Sequence, residues 1–304
     1  MSARARSEAR KIETIAHGPM VFRPAEVVRV RTVTPHMVRI TLTGEALEGL
    51  TSPGVHDDVR IQFPEQFDAT PVPPVLCWKN LNVRHAPDGP PSQIRALTIR
   101  RFDPSAAELD IEIALHEAGT PWDEERDGIL TAWARQAEPG RRVTMAGPYV
   151  SRMVPDDLAH YLLIGDEAAL PAIGRHVESL PQGAVVTVVA EVTDAADEQV
   201  WTSAATVDYR WFHHGVAARG EADRLVEAVQ ALPDQPPETY AFVGAEVAVA
   251  KELRRLLTRE RGIEKGLLDA TGYWRRREEQ PGTAIRLRDR LEKTLFSGHT
   301  QSPR

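Results

Sequence analysis

Apolar and polar residues alternate from Val27 to Leu42, VVRVRTVTPHMVRITL, and Thr34-Pro35-His36 breaks the run with turn chemistry. Successive side chains of a strand point to opposite faces, so this pattern predicts a hairpin with one buried and one wet face. The alternation recurs at Val59–Phe63, Ala96–Arg100 and Leu109–Leu115, and a shorter run spans Arg142–Met145. Five or six short strands without long helices between them predict a sandwich or barrel. Residues 64–93 hold seven of the 23 prolines, which predicts a long irregular loop.

Past Pro155 the period changes. Apolar runs at Tyr161–Ile164, Val185–Val192, Val207–Phe212 and Tyr240–Val243 alternate with helical spacing at Leu170–Leu180, Leu225–Leu232 and Val247–Arg261. A β-α-β alternation of this kind calls for a mostly parallel sheet covered by helices. The domain boundary is expected near Gly147–Pro155. Ile285, Leu287, Leu291 and Leu295 suit one face of a C-terminal docking helix.

Composition narrows the chemistry. The chain has 304 residues and one cysteine, Cys77, which excludes an internal disulfide, a Cys₄ iron–sulfur cluster and a cysteine-rich zinc site. Redox chemistry therefore calls for a bound organic cofactor. A net charge of −7 argues against nucleic-acid binding. No stretch approaches the length of a membrane span, and the basic start MSARARSEARK has no apolar core after it. A cytoplasmic protein with a flexible tail over residues 1–20 is expected. His213-His214 reads as a surface turn, since adjacent histidines rarely share a metal.

Five ordered segments carry a family resemblance: the hairpin RTVTPHMVRITLTG; Arg95-Ala96-Leu97-Thr98-Ile99-Arg100; His116 with Gly128-Ile129-Leu130-Thr131-Ala132-Trp133; Gly165-Asp166-Glu167-Ala168-Ala169-Leu170-Pro171-Ala172; and Phe242-Val243-Gly244-Ala245-Glu246 through Gly272-Tyr273-Trp274-Arg275. Together they resemble the siderophore-interacting protein family, whose members include FAD-dependent ferric-siderophore reductases. The chain departs from the family's motifs at Leu97, where the family has tyrosine, and at Ala168, where it has threonine. No Gly-x-Gly-x-x-Gly fingerprint is present.

The resemblance implies a six-stranded antiparallel flavin-binding barrel over residues 21–150, an NAD(P)H-binding-like α/β domain over 155–277, and a helix and tail over 278–304. It implies FAD held by Arg95, Leu97, Thr98, Ile99, His116, Gly128, Leu130 and Thr131, with Asp166, Glu167, Ala168 and Trp274 at the domain cleft. Arg100, Arg101, Arg275, Arg276 and Arg277 are the candidate cations for an anionic ferric siderophore or another small molecule. Electrons would come from NADH, NADPH or a protein donor such as ferredoxin, with no nucleic-acid or membrane partner. Leu97 and Ala168 leave a second reading open: a repurposed, flavin-poor scaffold acting in natural-product biosynthesis or ligand binding.

Overall fold

The computed structural model describes residues 10–18, 21–64, 72, 75–77, 82–84, 92–115, 128–215 and 222–275. The N-terminal half runs through β1 (Glu13–Ala16), β2 (Arg23–Thr34), β3 (Met37–Thr43), β4 (Asp58–Pro64), β5 (Val75–Cys77), β6 (Asn82–Arg84), β7 (Ser92–Thr98), β8 (Arg101–Asp103) and β9 (Glu108–Ala114). Helix α1 (Gly128–Gln136), β10 (Arg142–Ala146) and β11 (Val150–Met153) complete it.

Seven strands form one antiparallel sheet in the order β7-β4-β10-β2-β3-β9-β8. Its outer strands are consecutive in the chain, and the link between them is bonded on both sides. The Ile99 amide donates to the Asp57 carbonyl and the Arg100 amide to the Asp110 carbonyl, each at 2.8 Å. The sheet thereby wraps into a barrel around Val27, Ile40, Ile61, Ile111 and Val143, which leaves little open edge for unwanted pairing.

Three features differ from expectation. The main sheet has seven strands rather than six, because Arg101–Asp103 pairs with β9; three charged or aromatic residues leave no alternation to read. Within the expected tail, Glu13–Ala16 pairs with β11. The expected irregular loop contains the antiparallel pair β5–β6.

The C-terminal half contains β12 (His160–Gly165), α2 (Leu170–Ser179), β13 (Val185–Val192), β14 (Thr206–His213), α3 (Ala222–Gln230), β15 (Tyr240–Glu246), α4 (Val247–Arg259) and β16 (Leu268–Trp274). All five strands are parallel in the order β14-β13-β12-β15-β16. Tyr161 and Leu163 of β12 face one core with Ile173 of α2, while Leu162 and Ile164 face another with Leu225 and Leu253. Burial on both faces explains why these strands read as unbroken apolar runs. Winding reverses between β12 and β15, so their carboxyl ends flank the crevice where open α/β sheets take ligands.

The two halves meet through a buried polar seam. Arg100 donates from both terminal nitrogens to Glu178 at 2.7 Å. Arg175 of α2 donates to the Ile99 carbonyl at 2.9 Å and the Ser52 carbonyl at 2.7 Å. His56 stacks on Phe242 with ring centroids 3.9 Å apart, and its Nε2 lies 3.1 Å from Nδ1 of His176. Burial, with Arg152 and Arg175 nearby, pushes His56 down to about 3, and burial together with His56 also lowers His176. Asp269 lies 3.9 Å from His56, but it is ion-paired with Arg152, so the ring remains neutral.

The sign of the resulting pH dependence is fixed. Below the ordinary value of 6.5 the unfolded chain binds protons that the folded seam excludes, so stability is intact above that pH and falls toward pH 3. Each histidine contributes a slope of up to about 1.4 kcal/mol per pH unit. Burial raises Glu191 and Asp57, and these carboxyls act in the opposite direction. Urea titrations across this range, comparing the wild type with His56→Phe, should therefore show a shallower acid loss in the variant.

Candidate functional site

The barrel side of the site is β7. Arg95 and Leu97 share one face by the two-residue period, and both are half-buried, whereas Thr98 is buried at the strand end. Arg95 donates to the Ile94 carbonyl at 3.2 Å and to Gln93. Leu97 leans on the barrel core, as does half-buried Leu130 of α1. Thr131 is buried, and Trp133 packs edge-on against Phe63 at 4.7 Å, which anchors α1 to the barrel wall. A cation and an apolar side chain on one strand face, with a helix start anchored to the same barrel, suit a flavin dinucleotide.

The α/β side is the carboxyl edge of the parallel sheet. A Cβ on Gly165 would lie 2.5 Å from the Ala169 side chain and 2.7 Å from the Gly244 carbonyl, so only glycine fits where β12 turns toward α2. Asp166 accepts the Ala168 amide at 2.9 Å and the Trp274 indole N–H at 2.6 Å. That second bond ties the first strand of the sheet to its last.

Behind this turn lies a cluster of carboxylates. Buried Glu167 accepts from His214 Nε2 at 2.6 Å and from the Thr193 hydroxyl at 3.2 Å. His214 Nδ1 lies 2.5 Å from the Gly215 carbonyl, so both ring nitrogens face acceptors. Burial opposes its charge, but the Glu167 hydrogen bond and the carboxylates around it raise its pKa on balance. Glu191, at the end of β13, is pushed up to about 7 by burial, with His214 pulling it down and Asp166 and Glu167 adding to the rise. Its Oε1 is buried without a hydrogen-bond partner. Glu246 caps α4, accepting the Ala248 amide at 2.5 Å and the Val249 amide at 3.3 Å.

The structure therefore brings Asp166, Glu167, Ala168 and Trp274 together at one edge, with the indole N–H of Trp274 directed at Asp166. Ile99 and Arg100 form the link beyond β7, and Ile99 is wholly buried in the barrel core. Arg100 is 5% exposed and paired across the seam, so its charge lies inside the protein. Arg101 is held by Asp103, Glu108 and Asp110 on the barrel. Arg275 is exposed at the end of β16. His116, Arg276, Arg277 and the 278–304 segment lie outside the described residues, and of Gly128 the structure describes the backbone alone.

His214 is the clearest correction. Expected in a surface turn, it is buried against Glu167, while His213 is exposed and pairs with Glu198 at 2.8 Å. Glu191 lies outside the sequence-predicted set, although a lone acid in VVTVVAEV is a legible signal, because an unpaired charge is costly in a buried strand.

Two family models match the chain: a siderophore-interacting FAD-binding domain over residues 26–152 and a siderophore-interacting protein model over residues 158–277. A relative from Escherichia coli, the NADPH-dependent ferric-chelate reductase, is 32% identical over 257 residues, covering 83% of this chain and 92% of the relative. The crystal structure of a siderophore utilization protein from T. fusca superimposes with a TM-score of 0.74 at 33% identity, covering 87% of this chain and 97% of that one. The siderophore-interacting protein of Aeromonas hydrophila gives a TM-score of 0.64 at 29% identity, covering 84% and 92%.

Asp166 joins a cap to a cross-sheet bond, so Asp166→Ala should cost about 2 kcal/mol, the sum of a lost cap and a stranded indole donor. Trp274→Phe removes only the second of these and should cost about 1 kcal/mol. Urea unfolding of both variants checks the difference.

Proposed function

This chain belongs to the siderophore-interacting protein family, and on that premise we propose that it reduces ferric siderophores with FAD, drawing electrons from NADH or NADPH. The observation that carries the reading is the grip of Arg175 on the Ile99 carbonyl. It fixes the end of the flavin strand to the helix that follows the Gly165–Ala169 turn. A flavin on β7 and a donor at the sheet's carboxyl edge would then share one rigid frame, as electron transfer between them needs.

Bound FAD supplies the redox chemistry, accepting electrons in a pair and passing them on singly. The protein's own residues orient and shield. Arg95 would offer its guanidinium to a phosphate, and Leu97 would cover the ring by apolar contact in place of a stacked aromatic. The amino-terminal turn of α1, from Gly128 through Leu130 and Thr131, would receive the pyrophosphate. Thr98 closes the strand from within the barrel. No side-chain nucleophile is required.

Iron leaves because siderophores hold hard Fe³⁺ far more tightly than Fe²⁺. The names of the relatives support reductase chemistry over a repurposed scaffold. Among the described residues no helix is long and apolar enough to cross a membrane, and the reading places the protein in the cytoplasm, where reduced nicotinamides are found. Arg275, exposed after β16, is a candidate cation for anionic chelates, and Arg276 and Arg277 follow it in the sequence.

Purified protein should show flavin absorbance that NADH or NADPH bleaches and a ferric chelate restores. A colourless protein that rejects added FAD would overturn the reading, and bleaching by reduced ferredoxin alone would replace the nucleotide donor with a protein. Replacing Arg275, Arg276 and Arg277 together by alanine should raise KM for an anionic ferric chelate about tenfold at low salt, with flavin content unchanged. Stopped-flow reoxidation at two ionic strengths checks this.

A further inference from the structure

The parallel sheet presents Asp166, Glu167, Glu191 and Glu246 at its carboxyl edge, all of them buried. The amides that often receive phosphates at such an edge are occupied. Asp166 takes the Ala168 amide, and Glu246 takes those of Ala248 and Val249. Of the nearby cations, His214 faces Glu167 and the Gly215 carbonyl with its two nitrogens, while exposed Arg224 donates to the neutral His213 carbonyl and keeps its charge. An added negative charge on a ligand meets four acidic side chains here, with Arg224 as the opposing cation.

Glu191 stands at the end of β13, the strand reached by the first crossover from the Gly165 turn. In dinucleotide-binding α/β sheets an acid at the end of that strand hydrogen-bonds the adenosine ribose, and a cation replaces it where a 2′-phosphate is read. Here the acid is present, and its Oε1 lacks the donor that a buried carboxylate requires. A ribose 2′-hydroxyl supplies such a donor. A 2′-phosphate supplies none and brings a charge of up to about −2.

We infer that Glu191 selects the electron donor, accepting the ribose 2′-hydroxyl of NADH and excluding the 2′-phosphate of NADPH. This rests on the reading of the chain as a nicotinamide-driven reductase.

The test uses the flavin-loaded enzyme and two redox-inert fragments, ADP-ribose and 2′-phospho-ADP-ribose, in titration calorimetry. Wild-type protein should bind ADP-ribose about tenfold or more tightly than its 2′-phosphorylated form, as expected for a charged hydrogen bond gained against a repelled dianion. Glu191→Gln, which keeps the shape but loses the charge, should narrow that ratio. Glu191→Ala should also weaken ADP-ribose itself by about tenfold. Retained flavin absorbance and circular dichroism establish that both variants fold.

Equal or tighter binding of the phosphorylated fragment, or a preference that both variants preserve, overturns the assignment while NADPH bleaching leaves the reductase reading intact. If neither dinucleotide bleaches the flavin and neither fragment binds, the nucleotide-donor reading itself falls, and this assignment falls with it.

Discussion

Arg175 reaches from the middle of α2 to the carbonyls of Ser52 and Ile99, and the relation between the two halves of the molecule depends on that reach. Ile99 lies between the outer strands of the barrel, so the same residue that closes the barrel docks it. A guanidinium suits this position, because its fixed fork can serve two carbonyl oxygens at once and it keeps its charge when buried. Burial lowers its pKa and Asp57 opposes that shift, consistent with a cation retained for geometry. Arg100 then grips Glu178 on the same helix, so the seam holds from both directions.

A polar seam of this kind is expensive to bury and specific once satisfied. His56, His176, Tyr240 and Phe242 fill the space between the charged pairs with rings in stacked and edge contacts. Neutral imidazoles can pass one hydrogen bond along, as His56 does between Tyr240 and His176. They do so without an uncompensated charge. The cost appears as sensitivity to acid rather than as weakness near neutrality.

The carboxyl edge of the sheet follows a different logic. Four buried acids converge where an α/β domain takes its ligand, and only some are compensated: Glu246 by helix amides, Asp166 by an amide and an indole, Glu167 by His214. Glu191 has no comparable partner for Oε1. Local stability does not account for such an arrangement. On the proposed reading a ligand hydroxyl completes the hydrogen bonding, and the discrimination falls at the ribose.

Hydrophobic period alone determined much of this protein. The hairpin from Val27 to Leu42, the strands at Val59–Phe63 and Leu109–Leu115, and the β-α-β alternation after Pro155 all appear in the structure, because a half-buried strand must alternate and a doubly covered one must be apolar. The glycine-acid turn at Gly165 was equally legible, since its close packing tolerates no side chain. Short elements without a period, Arg101–Asp103 and Glu13–Ala16, were not, for they exist only by pairing with strands distant in the chain. Nor could sequence show that Arg100 turns inward, that His214 is buried beside Glu167, or that Glu191 and Asp166 share an edge. Those are relations between residues that only packing brings together, and a side chain's charge takes its meaning from the neighbours that the tertiary structure supplies.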